Sequence, residues 1–182
     1  MKVVYSDQEL VVESNSIFLA GPTPRTDYVK SWRPEALELL EEIGYKGQVL
    51  VPEHQGKTKY SFLDQVEWED EGLLKCAVIV FWIPRDLKTM PALTTNIEFG
   101  RFVCSGKIVY GRPNDAPKNG YLDWLYQKYT KHLIIRTLKD LMIVSSDMAN
   151  QHSVIKEMFE KTIESSVISV LEEEQENNGE IL

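Results

Sequence analysis

The sequence is poor in the residues that build metal centres and disulfide frameworks. It has two cysteines and three histidines among 182 residues. Cys76 and Cys104 both lie in apolar runs, which predicts reduced core residues of a cytoplasmic protein rather than a disulfide or a zinc site. His54, His132 and His152 have no Cys or His at ligand spacing. We therefore expect no metal.

Several motifs and segments are also missing. No G-x-G-x-x-G follows the first predicted strand, which disfavours a dinucleotide site, and we expect no cofactor. No serine has a His/Asp partner pattern and neither cysteine has an evident base, so a serine or cysteine nucleophile is not expected. The longest apolar run, CAVIVFWIP, is far too short to span a bilayer. The opening MKVVYSDQELVV lacks the continuous apolar region of a signal peptide.

The sequence has fewer basic than acidic residues, with 20 Lys and Arg and 28 Asp and Glu. The formal net charge of -8 repels a phosphate backbone, so we do not expect a nucleic-acid polymer as a partner. We also expect no membrane partner, since no apolar run is long enough to span a bilayer. A few local cations can still hold one phosphate of a small nucleotide. With 43% hydrophobic residues the chain can bury a sizeable core. We predict a single domain over residues 1–171 and an acidic tail at 172–182 that frays.

Short apolar runs alternate with helical patterns, which predicts a three-layer α/β fold. Its centre is a doubly wound, flavodoxin-like or Rossmann-like sheet of about five parallel strands. The predicted strands are SIFLAG, QVLVPE, CAVIVFWI, KIVYG and HLIIR, with VVYSDQELVV as a hairpin or an edge strand. The predicted helices are DYVKSWRPEALELLEEIG, FLDQVEWEDEGLLKC, Thr95–Ser105 and a segment through YLDWLYQKY, then two C-terminal helices from about Thr137 and Ser153.

The loops that follow the predicted strands are the expected ligand sites. In doubly wound sheets, ligands bind outside the carboxyl ends of the strands. Gly, Pro, Thr, Arg, Asn and Asp are abundant in the four segments that occupy this position, which are AGPTPR, PEHQGK, PRDLKTMPALTTNIE and GRPNDAPKNG. This composition is typical of a polar pocket for a small molecule.

Glu98, in the stretch TTNIEFGRF, has two interpretations. Thr95 and Glu98 have the spacing of a capping box, which would stabilise the helix start by about 1 kcal/mol. Alternatively, Glu98 lies at the ligand end of the sheet, where the helix dipole favours an ionised carboxylate that could attack or grip a sugar. Gly100 costs about 1 kcal/mol relative to alanine in a helix interior. We therefore expect tight packing against the sheet, or a ligand, at Gly100.

The combination of IFLAGPTPR, CAVIVFWIP and TTNIEFGRFVCSGKIVYGRP resembles the nucleoside 2-deoxyribosyltransferase-like family, which includes deoxynucleotide N-hydrolases. The resemblance covers roughly Ile17 to Asp123. It implies a nucleoside or nucleotide and a free base as ligands, and a homo-oligomer. It also implies that Glu98 is the nucleophile, which forms a covalent glycosyl-enzyme before a second base or water releases the sugar.

The resemblance and the loop positions together give the candidate site residues. The catalytic candidates are Glu98, with Glu69 or Asp64 as the acid that protonates the departing base. In the hydrolase branch of the family the loop containing Arg25 binds a 5′-phosphate, although an exposed loop arginine is an equal alternative. The substrate-binding candidates are Gly21, Pro22, Thr23, Arg25, Glu53, Gln55, Trp82, Thr95, Asn96 and Arg112, with Phe18 and Trp68 as further aromatics beside the base.

The sequence departs from the family at two positions. Ala77 stands where members usually have an aspartate, and Phe18 where they often have a tyrosine that hydrogen-bonds the nucleophile. Substitute polar partners for Glu98 are expected among Asn96, Asp64, Glu69 and Glu71. These departures keep a rival hypothesis open, which is a nucleotide-binding or sensing module without catalysis.

Overall fold

The computed structural model describes residues 1–56 and 61–179, with side-chain surroundings described through residue 163. Strands and helices alternate along most of the chain. They are β1 (Lys2–Tyr5), β2 (Ser16–Ala20), α1 (Arg33–Glu42), β3 (Gln48–Val51), α2 (Phe62–Lys75), β4 (Val78–Trp82), α3 (Leu93–Phe102), β5 (Ile108–Gly111), α4 (Gly120–Thr130) and α5 (Leu138–Gly179).

The strands form one five-stranded sheet in the order β1-β3-β2-β4-β5. Every neighbouring pair is parallel. One face packs a cluster that includes Phe18, Phe81 and Phe99, and the other packs a cluster that includes Leu40 and Leu141. β4 is buried along its whole length. The predicted three-layer α/β fold with a parallel sheet is therefore confirmed.

The edges of the sheet differ from the prediction. The opening residues form the edge strand β1, parallel to β3, and not a hairpin. HLIIR is not a fifth strand: Ile135 makes only an isolated bridge to Gly111. Because this short segment lies beside β5 for a single residue, a ladder cannot extend along it. β1 takes the fifth place on the opposite edge.

The helix boundaries also needed correction. α1 begins at Arg33 and not at Asp27, because Pro34 favours the first turn of a helix and disfavours its interior. The two predicted C-terminal helices are one helix, α5, which continues through Ser153 to Gly179. Residues 180–182 of the predicted acidic tail lie outside the described residues, and the domain boundary at 171 stays a prediction.

The two cysteines lie in different surroundings. Cys76 is buried, as predicted, whereas Cys104 is exposed near the end of α3, so its assignment to the core was wrong. Its neighbours Phe102 and Val103 are buried, but burial of neighbours after the end of a helix does not extend to Cys104. Among the described residues, no helix is both long enough and apolar enough to cross a membrane.

Candidate active site

A cavity of about 280 Å³ opens at the carboxyl ends of β2 and β3, beside the start of α3. We call it the α3 cavity. Its lining comes from the loop after β2, from α2 and from the segment that leads into α3. The lining residues are Phe18, Ala20, Gly21, Pro22, Thr23, Arg25, Arg33, Pro52, Glu69, Pro91, Ala92, Leu93, Thr94, Thr95 and Glu98. The cavity lies where the doubly wound topology predicts a ligand.

α3 presents Thr95 and Glu98 to this cavity from one face, because residues three apart in a helix are neighbours. The helix begins earlier than predicted, at Leu93, after Ala92 in a left-handed conformation (φ 58°). No side chain caps this start, so the expected capping box of Thr95 and Glu98 is absent. Thr95 is the third residue of α3 and is buried. Glu98 therefore has no local capping role.

The protonation of Glu98 also differs from the expectation. Burial, and secondarily the charge of Glu69, raise the pKa of Glu98 to about 7, although Arg33 opposes the shift. Burial also raises the pKa of Glu69, against a hydrogen bond from Gln65 and the charge of Arg33. Because α3 starts at Leu93, Glu98 lies beyond the first turn, where the helix dipole is weak. The cavity thus holds two carboxyl groups that retain protons above their ordinary range.

Arg33 fixes the loop that forms one wall of the α3 cavity. Its side chain is almost completely buried. Nε donates to the Leu19 carbonyl at 3.0 Å and Nη2 to the Gly21 carbonyl at 2.8 Å. Nη1 donates to Thr23 Oγ1 at 3.0 Å and to Glu53 Oε1 at 2.6 Å. One guanidinium therefore holds together the end of β2, the loop after it and Glu53, the second residue after β3.

Gly21 has a conformation and a position that only glycine fits. Its φ is +148°, and a Cβ there would lie 2.2 Å from the Trp82 carbonyl oxygen and 2.9 Å from the Trp32 ring. Trp32 Nε1 also donates to the Pro22 carbonyl at 3.2 Å. Trp32 and Arg33 thus hold one side of the loop after β2 in place, and residues of this loop line the cavity.

Arg25 lies at the rim of the cavity. Its backbone N–H donates to the Thr89 carbonyl at 2.9 Å, which joins the loop after β2 to the loop after β4. Its side chain is exposed. Within residues 1–56 and 61–163, the Arg25 guanidinium makes no hydrogen bond or ion pair, so it is available to an anionic ligand.

The structure brings together seven of the predicted site residues at the α3 cavity. They are Gly21, Pro22, Thr23, Arg25, Glu69, Thr95 and Glu98. Phe18, predicted as an aromatic neighbour of the base, also lines it. Trp68 packs against Phe18 from behind, with ring centroids 5.9 Å apart, and does not reach the lining.

Two predicted residues lie on other surfaces near the site. Asp64 is at the exposed start of α2, where it forms a capping box with Ser61. Gln55 is exposed, and its backbone N–H donates to Asp7 at 3.2 Å. The structure brings neither residue to the α3 cavity.

The other four are engaged elsewhere. Glu53 binds Arg33 and lines a separate groove, and Trp82 is buried in the core at 6% exposure. Asn96 accepts from Arg85 on the opposite side of α3. Arg112 forms an ion pair with Asp123 at 2.6 Å. The structure does not place these four side chains in the lining of the α3 cavity.

Arg33 is the main residue that sequence reasoning missed. A signal for it existed: Arg33, Ala36 and Leu40 lie at helical spacing and are the buried residues of α1. An arginine on the buried face of a helix needs polar partners, and the carboxyl ends of the strands supply them. The other lining residues that were missed carry no comparable signal. They are Ala20, Pro52, Pro91, Ala92, Leu93 and Thr94.

Comparison with known families gives a match that covers β2 to β5. A family model described as nucleoside 2-deoxyribosyltransferase like matches residues 14–116. No curated protein gives a significant match. The family match spans more than half of the 182 residues and contains the loop after β2, Glu69 on α2 and Glu98 on α3. The chain therefore belongs to the nucleoside 2-deoxyribosyltransferase-like family.

Proposed function

We propose that this protein cleaves or transfers the N-glycosidic bond of 2′-deoxynucleosides or their 5′-monophosphates, with Glu98 as the nucleophile. The observation that carries the proposal is the pair of carboxyl groups, Glu98 and Glu69, in one cavity at the ligand end of the sheet. Enzymes that cleave glycosidic bonds through a covalent intermediate usually use two carboxyl groups beside the sugar. Family membership supports the same reaction class.

The first step requires Glu98 ionised and Glu69 protonated. An oxygen of Glu98 attacks C1′ of the deoxyribose, and the C1′–N bond breaks with its electron pair going to the base. Glu69 gives its proton to the base nitrogen or to an exocyclic oxygen. The products are a neutral base, an ester between Glu98 and the sugar, and a Glu69 carboxylate.

The second step reverses these roles. An incoming base, or water, gives a proton to Glu69 and attacks C1′ from the side that the first base left. The ester bond breaks and its electron pair restores the Glu98 carboxylate. The configuration at C1′ is retained, because two displacements have occurred. An incoming base gives transfer, and water gives hydrolysis.

The raised pKa values suit this cycle, because the pair needs one proton near neutral pH. In the empty cavity Glu98 holds its proton to about pH 7. Positive charge that develops on the sugar favours the ionised form of Glu98 as the base departs. A proton therefore moves to Glu69 when substrate occupies the cavity.

The remaining lining supplies positions for the rest of the substrate. Arg25 is the donor that we propose for a 5′-phosphate, since its guanidinium is exposed at the rim and can bind an anion in a bidentate manner. Phe18, Pro91 and Leu93 offer apolar surface to the flat base. Arg33 does not serve as the phosphate ligand, because its donors are occupied by the loop and Glu53.

The test is to follow base release and base exchange by chromatography, with deoxynucleosides and deoxynucleoside monophosphates as substrates and a foreign base as acceptor. We expect Glu98→Gln to lower turnover by at least about a thousandfold, because it removes the nucleophile. Glu67→Gln is the matched control, since Glu67 is an exposed carboxylate on the same helix as Glu69. Mass spectrometry of acid-quenched enzyme should find a deoxyribosyl adduct on Glu98 in the wild type. Activity that survives Glu98→Gln would refute the assignment.

One observation favours a second candidate, the binding module without catalysis. Within the part of the chain that the structure describes, no side chain hydrogen-bonds the Glu98 carboxylate, and Phe18 offers no hydroxyl. Binding of a deoxynucleoside monophosphate by calorimetry, with neither base release nor exchange, would establish this alternative.

A further inference from the structure

A second cavity, of about 470 Å³, lies on the other side of α3, between α3 and α4. We call it the α3–α4 cavity. It shares no lining residue with the α3 cavity. Its lining residues are Arg85, Asn96, Gly100, Val103, Cys104, Lys118, Tyr121, Leu122, Leu125 and Tyr129. The volume is within the range of small-molecule sites in proteins.

Arg85 is a buried cation that lacks a counter-charge. Its side chain is in a residue only 8% exposed, and Nη2 donates to Asn96 Oδ1 at 2.5 Å. Nε is buried without any hydrogen-bond partner. No carboxylate in the described part of the chain forms an ion pair with Arg85, whereas Arg33 and Arg112 each have one. A guanidinium stays protonated, so a buried one without an anion is costly unless an anion binds it.

The charge of this cavity is opposite to the charge of the chain. Among the described residues, Arg85 and Lys118 are the charged members of its lining, in a protein with a formal net charge of -8. Val103, Leu122 and Leu125 supply apolar surface. The rings of two tyrosines complete the wall and are half to mostly exposed, Tyr129 at 50% and Tyr121 at 71%. Cations beside apolar and aromatic surface fit an anion attached to a flat apolar body.

Gly100 leaves open space in the same wall. A Cβ on Gly100 would meet nothing within 4 Å, so tight packing against the sheet, the first of the two reasons expected for this glycine, is wrong. A glycine within a helix is unfavourable by about 1 kcal/mol relative to alanine. Gly100 thus lines the α3–α4 cavity with bare backbone, beside space that a side chain could occupy.

We propose that the α3–α4 cavity binds a small aromatic anion, in which a phosphate or carboxylate group is attached to one planar ring. Arg85 and Lys118 bind the anionic group. Val103, Leu122, Leu125 and the two tyrosines contact the ring. This proposal does not depend on the proposed reaction, because none of these residues lines the α3 cavity.

Cys104 provides a direct readout, since it lines this cavity and is exposed, whereas Cys76 is buried. Burial raises the pKa of the Cys76 thiol to about 12, which keeps it unreactive. A thiol reagent should therefore label one cysteine of the folded chain. We expect millimolar phenyl phosphate, and also benzoate, to slow the labelling of Cys104, whereas inorganic phosphate or phenol at the same concentration should protect less.

Two variants test the site from different sides. Arg85→Met keeps the volume of the side chain and removes the charge, and should weaken protection by phenyl phosphate by about tenfold or more, as expected for a lost charge-assisted hydrogen bond. Gly100→Leu fills the open space and should abolish protection, while better helix propensity maintains folding. Arg25→Met is the control, because Arg25 lies in the α3 cavity, where we propose a phosphate contact, and its loss should leave the protection of Cys104 unchanged.

Three results would overturn the proposal. The first is labelling of Cys104 at the same rate with and without phenyl phosphate. The second is protection that survives both Arg85→Met and Gly100→Leu, or that is lost in Arg25→Met. The third is labelling that slows as protein concentration rises without added ligand, since a second copy of the chain would then cover the cavity.

Discussion

Burial determines how Glu98 contributes to the stability of the fold. Its folded-state pKa of about 7 lies above the ordinary value of 4.5, so the folded protein holds this proton more tightly than the unfolded chain. The free energy of unfolding therefore falls as pH rises between these two values, and the loss is complete above about pH 7. An ionised Glu98 in the empty cavity is thus destabilising.

Glu98→Gln should remove this loss, because glutamine has a similar shape and no titratable proton. We expect the variant to be as stable as the wild type near pH 5 and more stable at pH 8, by roughly 1 to 3 kcal/mol. Urea unfolding at both pH values measures the difference. Glu67→Gln, on an exposed residue, should show no such change with pH. A Glu98→Gln variant less stable than the wild type at pH 8 would contradict the account.

The residues of the site were predictable to different degrees. Glu98 and the loop from Gly21 to Arg25 could be placed together because parallel topology brings strand ends to one edge. Glu69 and Asp64 were both candidates from the acidic face of α2, and the sequence does not state which of them lines the cavity. Gln55 follows a strand end, but it is exposed. Arg33 required recognising a charged residue on the buried face of α1.

At the scale of the element, two glycines in neighbouring helices have opposite surroundings. Gly72 in α2 is packed against the sheet, and a Cβ there would lie 2.8 Å from a ring carbon of Phe18. Gly100 in α3 has nothing within 4 Å of that position. Both residues are inside helices, so helix propensity alone predicts the same gain from alanine at each.

Alanine substitutions should therefore change stability in opposite directions. We expect Gly100→Ala to raise the free energy of unfolding by up to about 1 kcal/mol, through helix propensity. Gly72→Ala should lower it by about 1 to 3 kcal/mol, since the new methyl group overlaps a buried ring. Chemical denaturation of both variants and of the wild type measures these changes in the free energy of unfolding. A loss of stability in Gly100→Ala would show that the space beside α3 is filled in solution.

Most of the strands and helices could be predicted from the sequence. The strands β2, β3, β4 and β5 follow from apolar runs bounded by Gly and Pro, since strands covered on both faces are predominantly apolar. HLIIR has the same composition, yet Ile135 alone pairs with Gly111. The composition of a short apolar run therefore does not predict how many of its residues pair with the neighbouring strand.

At the scale of the whole molecule, α5 has two parts. Its first part packs on the sheet and buries Leu138, Leu141, Met142 and Ala149. Around residue 153 it still contacts the body, with His152 Nδ1 3.1 Å from the Ser14 carbonyl. Farther along, apolar side chains on this helix are exposed, including Ile155, Met158, Phe159 and Ile163. The predicted homo-oligomer stays a prediction, and these exposed side chains do not identify a partner.

Truncation separates the two parts of α5. A chain that ends at Val154 retains the residues that α5 buries, so we expect its melting temperature to stay within about 4 °C of the full-length value. A chain that ends at Val144 loses the buried residues Ser145, Ser146 and Ala149, and should lose cooperative unfolding. Thermal unfolding followed by circular dichroism measures both. A large drop in the melting temperature of the chain that ends at Val154 would mean that later residues stabilise the domain.

The parallel sheet also constrains how the nascent chain acquires its structure. β2 and β4 are neighbours in the sheet, but α1, β3 and α2 lie between them in the chain. Parallel neighbours need such crossovers, and long-range pairing is slow. At a synthesis rate of about 5–20 residues per second, β2 waits for several seconds before β4 leaves the ribosome. During that interval an apolar strand edge is open to chaperones and to aggregation.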